Sequence, residues 1–264
     1  MFLRKLFKVG DKLRWLALEL LIVFVGVYLA FLFQSYNEQQ KVTAEKEKVL
    51  SSLKKETEEF RISFPLNADY QQKKVAEWDS IYIAGGVSEY YNWRYIEPQY
   101  KFQVIEYALN LQGTEILDFE LYEALLNLYQ RIKQLEHTER LMTELGNQYN
   151  ALPSSLSKSS DTYKGLYGQN RFHFWKFTRF ANTRAGILLA VSDLASEVVK
   201  MIDDRLDIER QQQIAVELFR EFFPSAEGDV AFLREIYQKN FPHYPSELFE
   251  AELEKLEQVP QQEN

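Results

Sequence analysis

Residues 15–33 are apolar at every position except Glu19. Nineteen helical residues rise roughly 28 Å, close to the hydrocarbon thickness of a bilayer. The pattern therefore predicts a transmembrane helix over 15–33. Beyond it the apolar positions thin out: Val42, Val49, Leu53 and Phe60 recur at steps of seven, four and seven among charged residues. That sparse seam predicts a helical stalk over 34–64, with no breaker before Pro65. Span and stalk together make one helix of about 50 residues, on the order of 75 Å. The seam either packs lightly on the chain's own domain or pairs with a second copy as a coiled coil.

The remainder, 65–264, patterns as an all-α bundle. A helix over 67–84 has Tyr70, Val75, Trp78 and Tyr82 as inner positions and stops at Gly85-Gly86. An irregular Tyr-rich stretch over 87–99 leads to a short helix over 100–111. Asp118 is placed to cap a long helix over 119–152, whose stripe runs Leu121, Leu125, Leu128, Ile132, Leu135, Met142, Leu145 and Tyr149. Serines and glycines then mark 153–169 as a loop, a natural site for proteolysis. Ile187, Val191, Leu194, Val198 and Ile202 give the inner side of a helix over 181–206, which continues through Ile214, Leu218 and Phe222 to a stop at Pro224. Two short helices follow, over 229–240 and 246–258, separated by Pro242 and Pro245.

The apolar run is too long for a cleaved signal peptide, and it exits through Phe31, Leu32, Phe33 and Tyr36, residues too bulky for a small-x-small cleavage site. A helix buried in a globular core carries a polar face, whereas this one carries a single charge. It reads as an uncleaved anchor. Arg4, Lys5, Lys8, Lys12 and Arg14 precede it; Lys41, Lys46 and Lys48 follow, interleaved with Glu38, Glu45 and Glu47. The basic bias puts residues 1–14 in the cytoplasm, either as a short interfacial helix or as a charged flank. The bulk of the chain then lies outside it, which in a bacterium means an inner-membrane protein with a periplasmic body.

Glu19, Gly26, Ala30, Asn37 and Glu38 carry a family resemblance. Over 18–38 the chain resembles uncharacterised bacterial single-pass membrane proteins grouped as a domain of unknown function. In these a Gly-Glu-Ile start runs through an apolar Gly-Ile-x-x-Ala segment to Ile-Asn-Asn-Trp-Asn-Glu. Leu18, Ser35 and Tyr36 depart from that pattern. The stretch 111–117, leading into 119–129, is similar to a less distinctive segment of the same proteins. The resemblance implies an N-terminal anchor and a helical domain, and it implies no activity and no catalytic residue.

Net charge sharpens the picture. The chain carries −8, and residues 1–14 hold five basic groups against one acid, so the rest carries a net −12. A body this acidic argues against nucleic acid as a partner. The absence of cysteine excludes disulfides, thiolate metal sites and a lipidated Cys anchor. Aromatic residues at 15%, with only 10 Gly and 7 Pro, point to packed helices.

Candidate chemistry is sparse. His137, His173 and His243 lack metal-ligand spacing, and Gln134 stands where a Glu-x-x-His motif ending at His137 requires Glu. No nucleophile elbow, phosphate-binding Gly loop or His-Glu-x-x-His is present. Asp203, Asp204 and Asp207 read as a solvated helix face. The expectation is a non-enzymatic protein with no metal or cofactor. Aromatic and basic residues interleave over 171–180, either plugging the core or meeting a partner. Tyr90, Tyr91, Trp93, Phe174 and Trp175 are the candidate partner or ligand surface. In the span, Gly26 and Ala30 form a small-x-x-x-small pair, with Glu19 on nearly the same face. Glu19 either reaches the headgroups or lines, with Gly26 and Ala30, a contact to a second span from a copy or another membrane protein. The function expected is an interaction or scaffolding subunit held in the lipid bilayer. The alternatives are a ligand-sensing domain with a separate partner, or an enzyme with an unrecognised site.

Overall fold

The computed structural model describes residues 2–95, 100–111, 116–150, 152–153, 155–225 and 229–257, with side chains for all of these except 2–14, 17–18, 93–95, 223–225 and 256–257. Among the described residues seven α-helices follow in order: α1 Phe2–Ile83, α2 Gln103–Asn110, α3 Phe119–Asn147, α4 Asp161–Asp203, α5 Ile208–Ser225, α6 Val230–Asn240 and α7 Ser246–Glu257. A 3₁₀ helix, Tyr90–Tyr95, stands between α1 and α2. Among the described residues there is no strand. The all-α expectation holds.

The chain divides into two units, Met1–Lys48 and Val49–Asn264. The first is the leading part of α1. It contains a stretch long and apolar enough to cross a membrane, with mean hydropathy 1.8 and no buried residue. Phe24 and Phe31 expose 70% and 66% of their surface. The second unit has its own core from its first residue on: Val49, Leu50, Leu53, Phe60 and Phe64 are all buried. The expected stalk over 34–64 thus divides at Val49, beyond which α1 is a core helix rather than a lightly packed one.

The expected break at Pro65 is absent, and α1 runs through it to Ile83. Proline has no N–H to give to the carbonyl four residues back, which leaves the Arg61 carbonyl without its helical donor. Ser192 of α4 supplies one, its hydroxyl donating to the Arg61 oxygen at 3.0 Å. A separate helix over 67–84 is therefore corrected to the C-terminal part of α1. Its buried face is Gln71, Val75, Trp78 and Tyr82, while Tyr70 is half-exposed. Spacings of four, three and four put Gln71 on that face and turn Tyr70 off it. The stop at Gly85 holds, with φ at +78° where a side chain is strained.

Asp118 caps α3 as expected, accepting from the Leu121 amide at 2.9 Å. The α3 stripe from Leu121 to Leu145 is buried, and Tyr149 lies past the helix end. The predicted loop over 153–169 is shorter than expected because α4 begins at Asp161, capped by the Ser160 hydroxyl on the Tyr163 amide at 3.1 Å. Gly165 and Gly168 each cost about 1 kcal/mol in a helix. Offsetting contacts flank them: Tyr163 stacks on Tyr167, Tyr167 meets Tyr82, and Asn170 holds both backbone polar groups of Asn150 at 2.7 and 3.1 Å. The inner face of α4 is set by Ala181, Ala185, Leu188, Val191, Ala195, Val198 and Ile202, with Ile187 and Leu194 only half-buried. Alanines at three of these positions let α3 and α4 pack closely. The helix ends at Asp203, and Asp207 starts α5 by accepting from the Arg210 amide at 2.7 Å.

Within the second unit a large core joins α1 to α7, and a smaller aromatic core gathers the C-terminal end of α1, the 3₁₀ helix, the end of α3 and the first half of α4.

Candidate interaction site

The smaller core brings together two stretches that are more than eighty residues apart in sequence. Tyr90 is fully buried, its ring centroid 5.3 Å from Phe174 and 5.2 Å from Phe177. Tyr82 stacks on Phe174 at 4.6 Å, and Trp78 meets Phe177 edge-on at 6.0 Å. Tyr91 lies flat on Tyr149 at 3.7 Å. The 3₁₀ backbone crosses α3 at Gly146, where a Cβ would sit 3.4 Å from the Tyr91 carbonyl oxygen. Trp93 belongs to the same 3₁₀ helix, and its side chain lies outside the described residues. Tyr90 and Phe174, two of the candidates for a partner or ligand surface, are buried with their rings turned toward each other.

Among the described residues, the hydroxyls of Tyr82, Ser88 and Tyr90 and the Nδ1 of His173 are buried without a hydrogen-bond partner. Burial pushes the Tyr82 phenol up to about 12 and the Tyr90 phenol higher still. Both stay neutral, so the cluster offers hydroxyl dipoles rather than charge.

One residue beyond Phe174 the helix turns outward. Trp175 is 53% exposed and Phe172 51%, and their rings stack at 6.1 Å. Lys176 places its ammonium 4.5 Å from the Phe172 ring centre, and Arg179 its guanidinium 5.2 Å from that of Trp175. Beside them a cleft of about 560 Å³ opens between α3 and α4, floored by Leu141, Leu145 and Phe180 and edged by Glu144, Trp175 and Arg179. The interleaved stretch 171–180 thus divides, with Phe174 and Phe177 plugging the core and Phe172, Trp175, Lys176 and Arg179 facing water.

Two buried polar networks were not foreseen. Lys54, fully buried, pairs with Asp203 and lies 4.0 Å from Glu58 and 3.4 Å from the Tyr244 hydroxyl. Glu58 takes Arg61 at 2.5 Å, and Arg61 reaches the Asn240 carbonyl at 3.0 Å. Asp203 is corrected accordingly: it is an ion-pair partner and not simply part of a solvated face. In the second network Arg184, 1% exposed, bonds Gln71 and the Glu139 carboxylate, the latter at 2.8 Å, while Tyr100 donates to the other Glu139 oxygen at 2.9 Å. A signal was present for Lys54 and Arg184, since both fall on the apolar face of their helices. The distant partner of each could not be read from spacing.

His137 is exposed with Arg140 at 3.0 Å, His173 lies on α4 and His243 is exposed between α6 and α7. Among the described residues no group of three or more His, Cys, Asp or Glu side chains could hold a metal ion. Glu19, Gly26 and Ala30 all lie on the exposed part of α1, and a Cβ added at Gly26 would meet nothing within 4 Å.

No family model matches the chain, and comparisons with curated proteins and with solved structures find no match.

Proposed function

We propose that this chain is a non-enzymatic, single-pass membrane protein of the bacterial inner membrane that acts as an interaction or scaffolding subunit. Its N-terminus is cytoplasmic and its helical body periplasmic. The observation that carries the reading is the apolar part of α1, which has a mean hydropathy of 1.8 and no buried residue. A helix so exposed in water loses on the order of 25 cal/mol for every Å² of apolar surface left wet, and a bilayer removes that cost. Glu19, Gly26 and Ala30 supply the contact to a second span: small residues let backbones approach, and a carboxylate inside the bilayer needs a partner or the headgroups. A transmembrane reporter assay on residues 10–38 is expected to lose association on Gly26→Leu and Ala30→Leu. Unchanged association removes the contact face. Co-purification of another membrane protein with the intact chain tests the scaffolding role.

A second reading is a membrane-tethered ligand-sensing domain that works with a separate partner. It draws support from the buried hydroxyls of Tyr82, Ser88 and Tyr90. Thermal-shift screening of residues 41–264 distinguishes the two, because stabilisation by a small molecule favours sensing.

A further inference from the structure

From residue 162 to residue 192 the chain has no Asp or Glu, in a protein with 39 of them. The same stretch carries five cations: Lys164, Arg171, Lys176, Arg179 and Arg184. Two are accounted for within the fold, since Lys164 pairs with Asp161 at 3.8 Å and Arg184 is buried against Glu139. Arg171, Lys176 and Arg179 form no ion pair among the described residues, and the last two rest on the faces of Phe172 and Trp175. A cation over an exposed ring gains about 0.5–1 kcal/mol, less than a carboxylate adds in a desolvated contact.

From these observations we infer that this face of α4, together with the adjoining α3–α4 cleft, docks an acidic segment of a partner protein. The row from Arg171 to Arg179 covers about 12 Å of helix, more than two turns, which suits an extended or helical segment. The floor of Leu141, Leu145 and Phe180 takes an apolar side chain. Carboxylates on either side of that anchor meet Lys176 and Arg179, and Trp175 and Phe172 cover it. Half-exposed Trp beside Arg is the pairing from which interface hot spots are built. Glu144 on the cleft edge and the acidic remainder of the body repel such a segment away from Lys176 and Arg179, so the charge pattern sets register as well as attraction. The inference deepens the interaction-subunit reading and rests on it.

The test uses the intact chain in phosphatidylcholine nanodiscs. The probes are fluorescein-labelled dodecapeptides with a central Leu-x-x-Leu anchor and two, four or six Glu, each matched by a peptide with Gln for Glu. Anisotropy is expected to show binding that tightens with Glu count and weakens at least tenfold between 50 and 500 mM salt. Both Trp175→Ala and the double variant Lys176→Gln/Arg179→Gln should weaken it tenfold or more, with Lys164→Gln unchanged. Lys164, Trp175 and Arg179 are exposed and Lys176 is half-buried, and circular dichroism verifies that each variant keeps its helix content. Equal binding of the Glu and Gln series, or no binding by any acidic peptide, overturns the inference. So does binding of phosphatidylglycerol vesicles through the same residues without peptide binding. Loss of association by Gly26→Leu in the membrane assay reports on the anchor contact independently, so the two can fail separately.

Discussion

The Ser192 hydroxyl donates to the Arg61 carbonyl across two helices, filling the position that Pro65 leaves empty in the α1 ladder. A proline inside a helix costs about 3 kcal/mol, partly through the acceptor it strands. Ser192→Ala therefore removes more than one ordinary hydrogen bond, because it leaves a part-buried carbonyl without a donor. The expected loss is about 1–3 kcal/mol in urea unfolding. In the Pro65→Ala background residue 65 has its own N–H, and the same serine change should cost a few tenths of a kcal/mol. Additive effects of the two substitutions would show that the hydroxyl and the proline are not coupled.

Removing one member of a buried charge pair leaves the other desolvated. Lys54→Met leaves the partly exposed Asp203 without its cation while Glu58 keeps Arg61 at 2.5 Å, and Arg184→Met takes the guanidinium from Glu139, which keeps the Tyr100 hydroxyl. The loss is expected to reach about 3–5 kcal/mol for Arg184→Met and to be smaller for Lys54→Met. The exposed pair of Arg234 and Glu250, at 2.8 Å, should give a far smaller loss on Arg234→Met, because water screens it. Similar losses at buried and exposed sites would contradict the placement of these ions.

Glu56 is buried on α1 and accepts from the amides of Val104 and Ile105 at 3.2 and 3.4 Å. Burial, aided by Glu59 and Glu106 and opposed by the two amides, raises its pKa to about 7. The folded state then keeps a proton that the unfolded chain releases near pH 4.5. Stability is fully present below pH 4.5 and is lost as pH rises through about 7, by on the order of 3 kcal/mol. Burial raises Glu59 as well, in the same direction. Glu56→Gln keeps an acceptor oxygen and carries no proton equilibrium, so its melting temperature should vary less between pH 5 and 8 than that of the parent. An equally steep profile in the variant would assign the slope to other groups.

Tyr90 buries a hydroxyl that finds no partner among the described residues. Deleting such an oxygen while keeping the ring relieves a desolvation cost. Tyr90→Phe should therefore stabilise the body by about 1 kcal/mol. Tyr82 has the Ser88 hydroxyl beside it, so Tyr82→Phe should gain less. Loss of stability in Tyr90→Phe would indicate that its hydroxyl is hydrogen-bonded in solution.

Much of the bundle was legible in the chain because apolar periodicity survives wherever a helix buries one face. Leu121 to Leu145 and the Asp118 cap are cases where pattern and packing agree. The errors came where distant residues altered a local rule. Pro65 reads as a stop until Ser192 repairs its ladder, and Gly165 and Gly168 read as loop until Tyr163, Tyr167 and Asn170 hold them in α4. The aromatic stretch divides by direction. Trp175 faces water and its neighbour Phe174 does not, since one helical step turns a side chain by about 100° and ring density carries no direction.

The cap that Glu56 supplies has a consequence for assembly. Phe102 offers α2 no side-chain bond, and eight residues are too few to nucleate a helix alone in water. The donors at its start are met by a carboxylate 48 residues earlier. Helix α2 has in effect a borrowed beginning, and an excised peptide over 100–111 should be coil. In the whole chain its amides form late and open together with the tertiary fold, which makes their hydrogen exchange a local gauge of whether the bundle is closed.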